Sequence, residues 1–176
     1  MGNEGIVGVP MALGGARLVQ AICSVGGWID RMPATTITHE VESHVGLHKV
    51  VDDYLRACFN QLSQAVACNR LHSTTERLAR WLLATGDHLG TDEFAITDQL
   101  LGRLLGASEA SVRQCSLRLE AAGLISSRHS RMTILDRPGL EAEACECYGV
   151  MRADLDGVIR RARLRFRSAR SRAGRE

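Results

Sequence analysis

Apolar residues recur at helical spacing through most of the chain, and the pattern is sharpest between Ile96 and Ile125. There Leu100, Leu101, Leu104 and Leu105 precede Gly106, and Val112, Cys115 and Leu119 follow it. That spacing predicts two short helices joined by a tight turn. Thr97 is placed to cap the first helix. Ser108 is placed to cap the second, which should run to about Ala122 and end at Gly123. Gly106 stands where the turn calls for a positive φ. Gly102 is the small residue a steeply crossing second helix requires. Together these features predict a helix-turn-helix unit. Leu124–Ser127 and Arg131–Leu135 read as two short strands around Arg128-His129-Ser130, which makes the unit a winged helix. In such a unit the second helix enters a DNA major groove, its first turns nearest the base edges.

The same pattern extends to both sides. Val45 to Asn69 predicts a long helix with two apolar stripes. One holds Leu55, Phe59, Leu62 and Val66; the other holds Val51, Tyr54, Cys58 and Ala65. One stripe can pack on the chain's own body, and the other calls for a second copy. Residues 34–44 predict a short helix before it. Residues 72–86 predict another after it, started by Ser73 or Thr74, with Leu78, Trp81 and Leu82 facing inward. Thr91 to Phe94 reads as a polar link. A last helix is expected from Asp136-Arg137-Pro138, with Leu140, Ala144, Tyr148, Met151 and Leu155 on one face. The first 33 residues are glycine-rich, with strand candidates at Gly5–Val9, Leu18–Ser24 and Trp28–Met32. The expected class is α+β, mostly α.

Composition changes this picture little. Aromatic residues make up 4% of the 176, so Leu, Val, Ile and Ala must build the core. Charge is more informative. Residues 152–176 hold nine arginines against Asp154, Asp156 and Glu176, a net +6, and leave the preceding residues at −4. The tail is thus the one charge block, either a loose phosphate-binding arm or a solvated extension, and it is expected to fray. Glu4 and the lack of an early basic or long apolar run speak against a signal peptide or membrane span, and a cytoplasmic protein is expected. Six cysteines (Cys23, Cys58, Cys68, Cys115, Cys145 and Cys147) fit no standard ligand spacing. Cys145 and Cys147 read as neighbours on one helix pointing apart, a poor chelate. His44, His48 and Asp52 sit at steps of four and read as a solvated polar face. No nucleophile-base spacing or phosphate-loop motif suggests an enzyme. No cofactor and no metal site are expected.

The stretches ITDQLLGRLLGASEASVRQCSLRLEAAGLI and CNRLHSTTERLARWLL resemble the C-terminal half of Crp/Fnr-type bacterial transcription regulators, over about Glu4 to Met151. The resemblance implies a sequence-specific DNA-binding regulator with four parts. These are a remnant of an effector-type β-roll at 1–44, a dimerisation helix at 45–70, a winged helix-turn-helix domain at 71–151 and an Arg-rich extension at 152–176. It implies double-stranded DNA and a second copy of the chain as partners, with RNA polymerase a further candidate and no membrane. The dimer contact would use Val51, Leu55, Phe59, Leu62 and Val66. Thr97 and Ser108 match positions that bond phosphates in the family. Glu109, Ala110 and Gln114 stand where the family reads bases. Gln99, Ser111 and Arg113 are additional candidates, and Arg118, Arg128 and Arg131 suit phosphates.

The departures from the family pattern are informative. EGIVGVP looks like the glycine turn before the family's nucleotide-phosphate cassette. Val9 follows Gly8 where cyclic-nucleotide binders have a Glu, and Gly15-Ala16 stand where Arg-Ser is expected. Without that arginine a cyclic nucleotide loses its main charge-assisted contact, so no cyclic-nucleotide sensing is expected. The strands that should come earlier are absent, which fits a shortened member or a start inside a longer reading frame. The best-known member has Arg, Glu and Arg where this chain has Glu109, Ala110 and Gln114, so the preferred site must differ. Two alternatives remain open: a module that forms heterodimers with full-length relatives and titrates them, and a thiol- or metal-responsive regulator.

Overall fold

The computed structural model describes residues 5–8, 15, 21, 23 and 26–173, with side chains to Arg167. Among them the elements are α1 (Ala34–Ser43), α2 (Val45–Leu71), α3 (Thr74–Leu89), β1 (Glu93–Ala95), α4 (Asp98–Leu105) and α5 (Glu109–Ala121). β2 (Ile125–Arg128), β3 (Arg131–Ile134), α6 (Arg137–Glu143) and α7 (Cys147–Ala173) follow. The chain forms two compact units, one of Leu62–Arg152 and one that joins the residues up to Gln61 with those from Ala153 onward.

The Leu62–Arg152 unit is built mainly on aliphatic side chains of α3, α4, α5, β2, β3 and α6. Leu78, Leu82 and Leu83 of α3, Leu101 and Leu105 of α4, and Val112 and Leu119 of α5 are buried together. Phe94, Ile125, Met132, Ile134 and Leu140 complete that core. Trp81 meets Phe94 edge to face at 6.4 Å, a favoured aromatic geometry. Ser73 starts α3 through a reciprocal cap. Its amide donates to Glu76 Oε2 at 2.7 Å, and its hydroxyl accepts from the Glu76 amide at 3.3 Å. Those hydrogen bonds from Ser73 hold the Glu76 carboxyl below its ordinary pKa. The sheet is antiparallel in the order β1-β3-β2.

β1 replaces the polar link expected at Thr91 to Phe94. Its three residues alternate exposed, buried, exposed, and Phe94 pairs with Met132 of β3. One inward side chain is too little alternation to announce a strand. The expected last helix is broken in two. Leu140 and Tyr148 share the core as the periodicity required, but Ala144 between them is extended (ψ 150°) and ends α6. A face-sharing pattern is blind to a break that keeps both sides packed.

The other unit buries Val41 of α1, Val51, Tyr54 and Ala57 of α2, and Val158 of α7, with Leu55 and Cys58 packed against them. Val51 therefore packs within its own chain, which corrects its assignment to the dimer contact, and Leu55 is partly used the same way. The second correction is the arginine-rich tail: it is helical to Ala173 rather than frayed. Val158 gives it an apolar anchor, and charge fixes it further. Arg165 donates to Asp53 and to the Lys49 carbonyl, and Arg161 lies 3.4 Å from Asp53. Trp28–Met32 is not a strand; no neighbour pairs with it among the described residues, and Trp28 and Ile29 are exposed. A lone extended segment gains nothing from strand geometry without a ladder. Gly5–Gly8 carry no strand either, and most of Leu18–Ser24 lies outside the described residues.

Asp53 carries a testable consequence. Burial raises its carboxyl pKa, but the Arg165 hydrogen bond and the charges of Arg165, Arg161 and Arg56 outweigh that, and the net shift is downward. A depressed folded-state pKa stabilises fully above the unfolded value of about 3.9 and ceases to do so as pH falls through the folded value. Asp53→Asn should therefore lose stability relative to the parent at pH 7, and the gap should close toward pH 3. Denaturant melts at both pH values measure it; a gap independent of pH would refute the charge pairing.

Candidate nucleic-acid interface

The helix-turn-helix geometry follows from a few residues. The Thr97 hydroxyl accepts from the Leu100 amide at 3.2 Å and starts α4. Gly106, with φ 61°, ends it. The Ser108 hydroxyl accepts from the Ser111 amide at 3.1 Å and starts α5. Gly102 lies beneath the crossing: a Cβ there would come 2.8 Å from the Ala107 carbonyl oxygen. Arg77, buried in α3, donates to the Leu105 carbonyl at 2.8 Å and to Asn69 Oδ1 at 3.0 Å. It satisfies a carbonyl that the end of α4 would leave unpaired. Sequence reasoning passed over this residue, because an arginine in a helix ordinarily reads as surface.

With Val112, Cys115 and Leu119 turned into the core, the other side of α5 faces solvent. All eleven candidate DNA-binding residues are exposed: Thr97, Gln99, Ser108, Glu109, Ala110, Ser111, Arg113, Gln114, Arg118, Arg128 and Arg131. Two of the arginines are engaged. Arg113 lies 3.8 Å from Asp98, and Arg131 lies 2.6 Å from Glu93 across the β1–β3 pair. The Ser108 and Ser111 hydroxyls lie 2.8 Å apart, which ties Ser111 to the cap.

The wing runs against stability in two ways. His129 and Ser130 both have positive φ, 51° and 58°, in the two-residue turn between β2 and β3. Neither is glycine, and each such residue costs about 1–2 kcal/mol. Arg128 and Arg131 are directly opposite in the ladder, a like-charge pair that disfavours a hairpin. Backbone strain and like charge are thus concentrated at one exposed tip.

A second cluster sits in the same unit. Cys68 near the end of α2, His72 just beyond it, Cys145 in the link after α6 and Cys147 at the start of α7 bring their ligand atoms within 4.8 Å of one another. Cys145 and Cys147 are thus not on one helix, contrary to expectation: α6 ends at Glu143 and α7 starts at Cys147, which leaves Cys145 in the link between them. Burial, then Cys68 beside it, pushes the Cys145 thiol up to about 12. His44, His48 and Asp52 do not assemble. His44 pairs with Glu40 and His48 with Asp52 as separate exposed contacts.

Comparison with known proteins bears on the first of these sites. No curated protein matches the chain. Two solved structures resemble it with a TM-score of 0.51 each. One, described as a putative transcriptional regulator of the Crp/Fnr family from Eubacterium rectale, is 21% identical over 63% of this chain and 51% of that one. The other, a CRP-family transcriptional regulator from Thermus thermophilus, is 23% identical over 57% of this chain and 54% of that one. The chain thus spans about half the length of each. Among the described residues no helix is long and apolar enough to cross a membrane. The family model for the Crp-like helix-turn-helix domain matches residues 76–143, the stretch that runs from the first turn of α3 to the end of α6.

Proposed function

We propose that this chain is a sequence-specific DNA-binding transcription regulator that works without cyclic-nucleotide sensing and acts as a homodimer. The observation that carries the reading is the solvent-facing side of α5, capped at Ser108 so that its first turn stands clear of the core. Glu109 suits a cytosine N4 donor, and Gln114 suits adenine. Ser108 and Thr97, beside the starts of α5 and α4, suit phosphates, as do Arg118 on α5 and Arg128 on the wing. Two such helices in one dimer would enter successive major grooves of a pseudo-palindrome.

Selection of the full-length chain against random DNA at low salt should enrich one motif. Exchanging Glu109, Ser111 and Gln114 together should change that motif. Arg118→Ala and Arg128→Ala should instead weaken all sequences alike and reduce the salt slope by about one each. Failure to enrich any motif, or an unchanged motif after the triple exchange, would overturn the reading.

A further inference from the structure

The four-residue cluster at the end of α2 has the composition and spacing of a closed metal centre. Cys68 Sγ lies 3.6 Å from Cys145 Sγ, and Cys147 Sγ lies 3.6 Å from His72 Nδ1. Zinc holds sulfur at about 2.3 Å and imidazole nitrogen at about 2.0–2.1 Å in a tetrahedron. The edges of that tetrahedron are about 3.8 Å between sulfurs and about 3.5 Å from sulfur to nitrogen, by the same bond lengths. Both contacts fall close to those edges, and all four ligand atoms lie within 4.8 Å of one another.

The surroundings are equally suited. Cys68, Cys145 and Cys147 are buried. His72 Nε2 lies 3.1 Å from Glu146 Oε2, so the carboxylate can hold the proton on Nε2 and leave Nδ1 as the ligating atom. Gln64 Nε2 donates to Cys147 Sγ at 3.0 Å, which orients that sulfur. The chain geometry explains how the four meet. Cys68 and His72 are one helical turn apart, with the His72 amide bonded to the Cys68 carbonyl. The extended Ala144 then redirects the chain so that Cys145 and Cys147 arrive from the other side. Buried thiols alone are ordinary packing. Three of them around an imidazole whose outer nitrogen is fixed by a carboxylate are more than packing requires.

We infer that Cys68, His72, Cys145 and Cys147 bind one zinc ion in a closed tetrahedral site that ties the end of α2 to the link between α6 and α7. Each thiol gives its proton to solvent on ligation, and the four protein ligands leave no position for a reacting group. The site is structural, and it does not depend on whether the chain reads DNA.

Full-length chain, purified under reducing conditions from zinc-supplied cells, should carry about one zinc per chain by elemental analysis. Cobalt added to the metal-free chain should give tetrahedral visible bands and thiolate charge transfer, saturating at about one equivalent. Cys68→Ser with Cys147→Ser should lose both signals, and His72→Cys should keep them where His72→Ala does not. Cys23→Ser, Cys58→Ser and Cys115→Ser should change nothing. A reduced wild-type chain that takes up neither metal would overturn the proposal. So would metal retained by the double serine variant.

Discussion

Gly102→Val should be the most damaging single substitution in the helix-turn-helix. A Cβ at this position lies 2.8 Å from the Ala107 carbonyl oxygen, and its next nearest neighbours are the backbone of Glu109 and Ser108. These are main-chain atoms fixed by the Ser108 cap and by the Ala107 amide bonded to the Gly102 carbonyl, so they cannot swing aside as a side chain would. The two γ-methyls of valine enlarge the clash, and relief requires α5 to move away from α4. Overpacking of this kind costs about 1–3 kcal/mol, and its placement against backbone argues for the upper end. For a unit of this size each kcal/mol lowers Tm by roughly 4–8 °C. A thermal melt followed by helical circular dichroism would read the loss, and DNA affinity should fall with it because the spacing between Thr97 and Ser108 changes. A Gly102→Val melt that overlays the parent would show that the crossing is looser than these distances imply.

That same crossing was the most legible part of the sequence. Its caps, its turn glycine and its apolar face lie within 30 residues, so local chemistry and global packing state the same answer. What escaped notice was information that only the tertiary fold supplies. Phe94 makes β1 a strand because β3 is there to pair with it. The tail past Ala153 is helical because Val158 finds Val41, Val51 and Tyr54, and because Arg161 and Arg165 find Asp53. Its arginines alone read as repulsion. The cysteine cluster was hidden for a related reason. Cys68 and Cys145 are 77 residues apart, and the break at Ala144 that turns Cys145 toward Cys68 leaves the helical periodicity of Leu140 and Tyr148 intact. The Cys68–His72 step of four was the one local signal, and it gains meaning only beside a second pair.

Replacing Phe59 and Leu62 by Asp should turn a dimer into a monomer and cost far more in DNA affinity than any single base-reading change. Phe59, Leu62 and Val66 recur along α2 at steps of three and four and are 70%, 68% and 72% exposed in the isolated chain. Scattered apolar residues on a surface are ordinary, but three large ones in a helical row match the narrow seam by which two helices pair. Burying each is worth roughly 1.5–3 kcal/mol. Six such side chains from two copies are comparable with the about 4–15 kcal/mol that association costs. The row alone therefore supports self-association of moderate strength, and the loss of Val51 and part of Leu55 to the chain's own core is why it is not stronger. On a pseudo-palindrome the second recognition helix binds at the effective concentration set by the first, a gain of about 10²–10⁴. Sedimentation should show the parent dimeric and the double variant monomeric. Affinity for a two-half-site DNA should fall by about that factor, while affinity for an isolated half-site stays the same. A parent that sediments as a monomer at tens of micromolar would remove this row from the interface; equal loss on both DNAs would mean instead that the substitutions had damaged the fold.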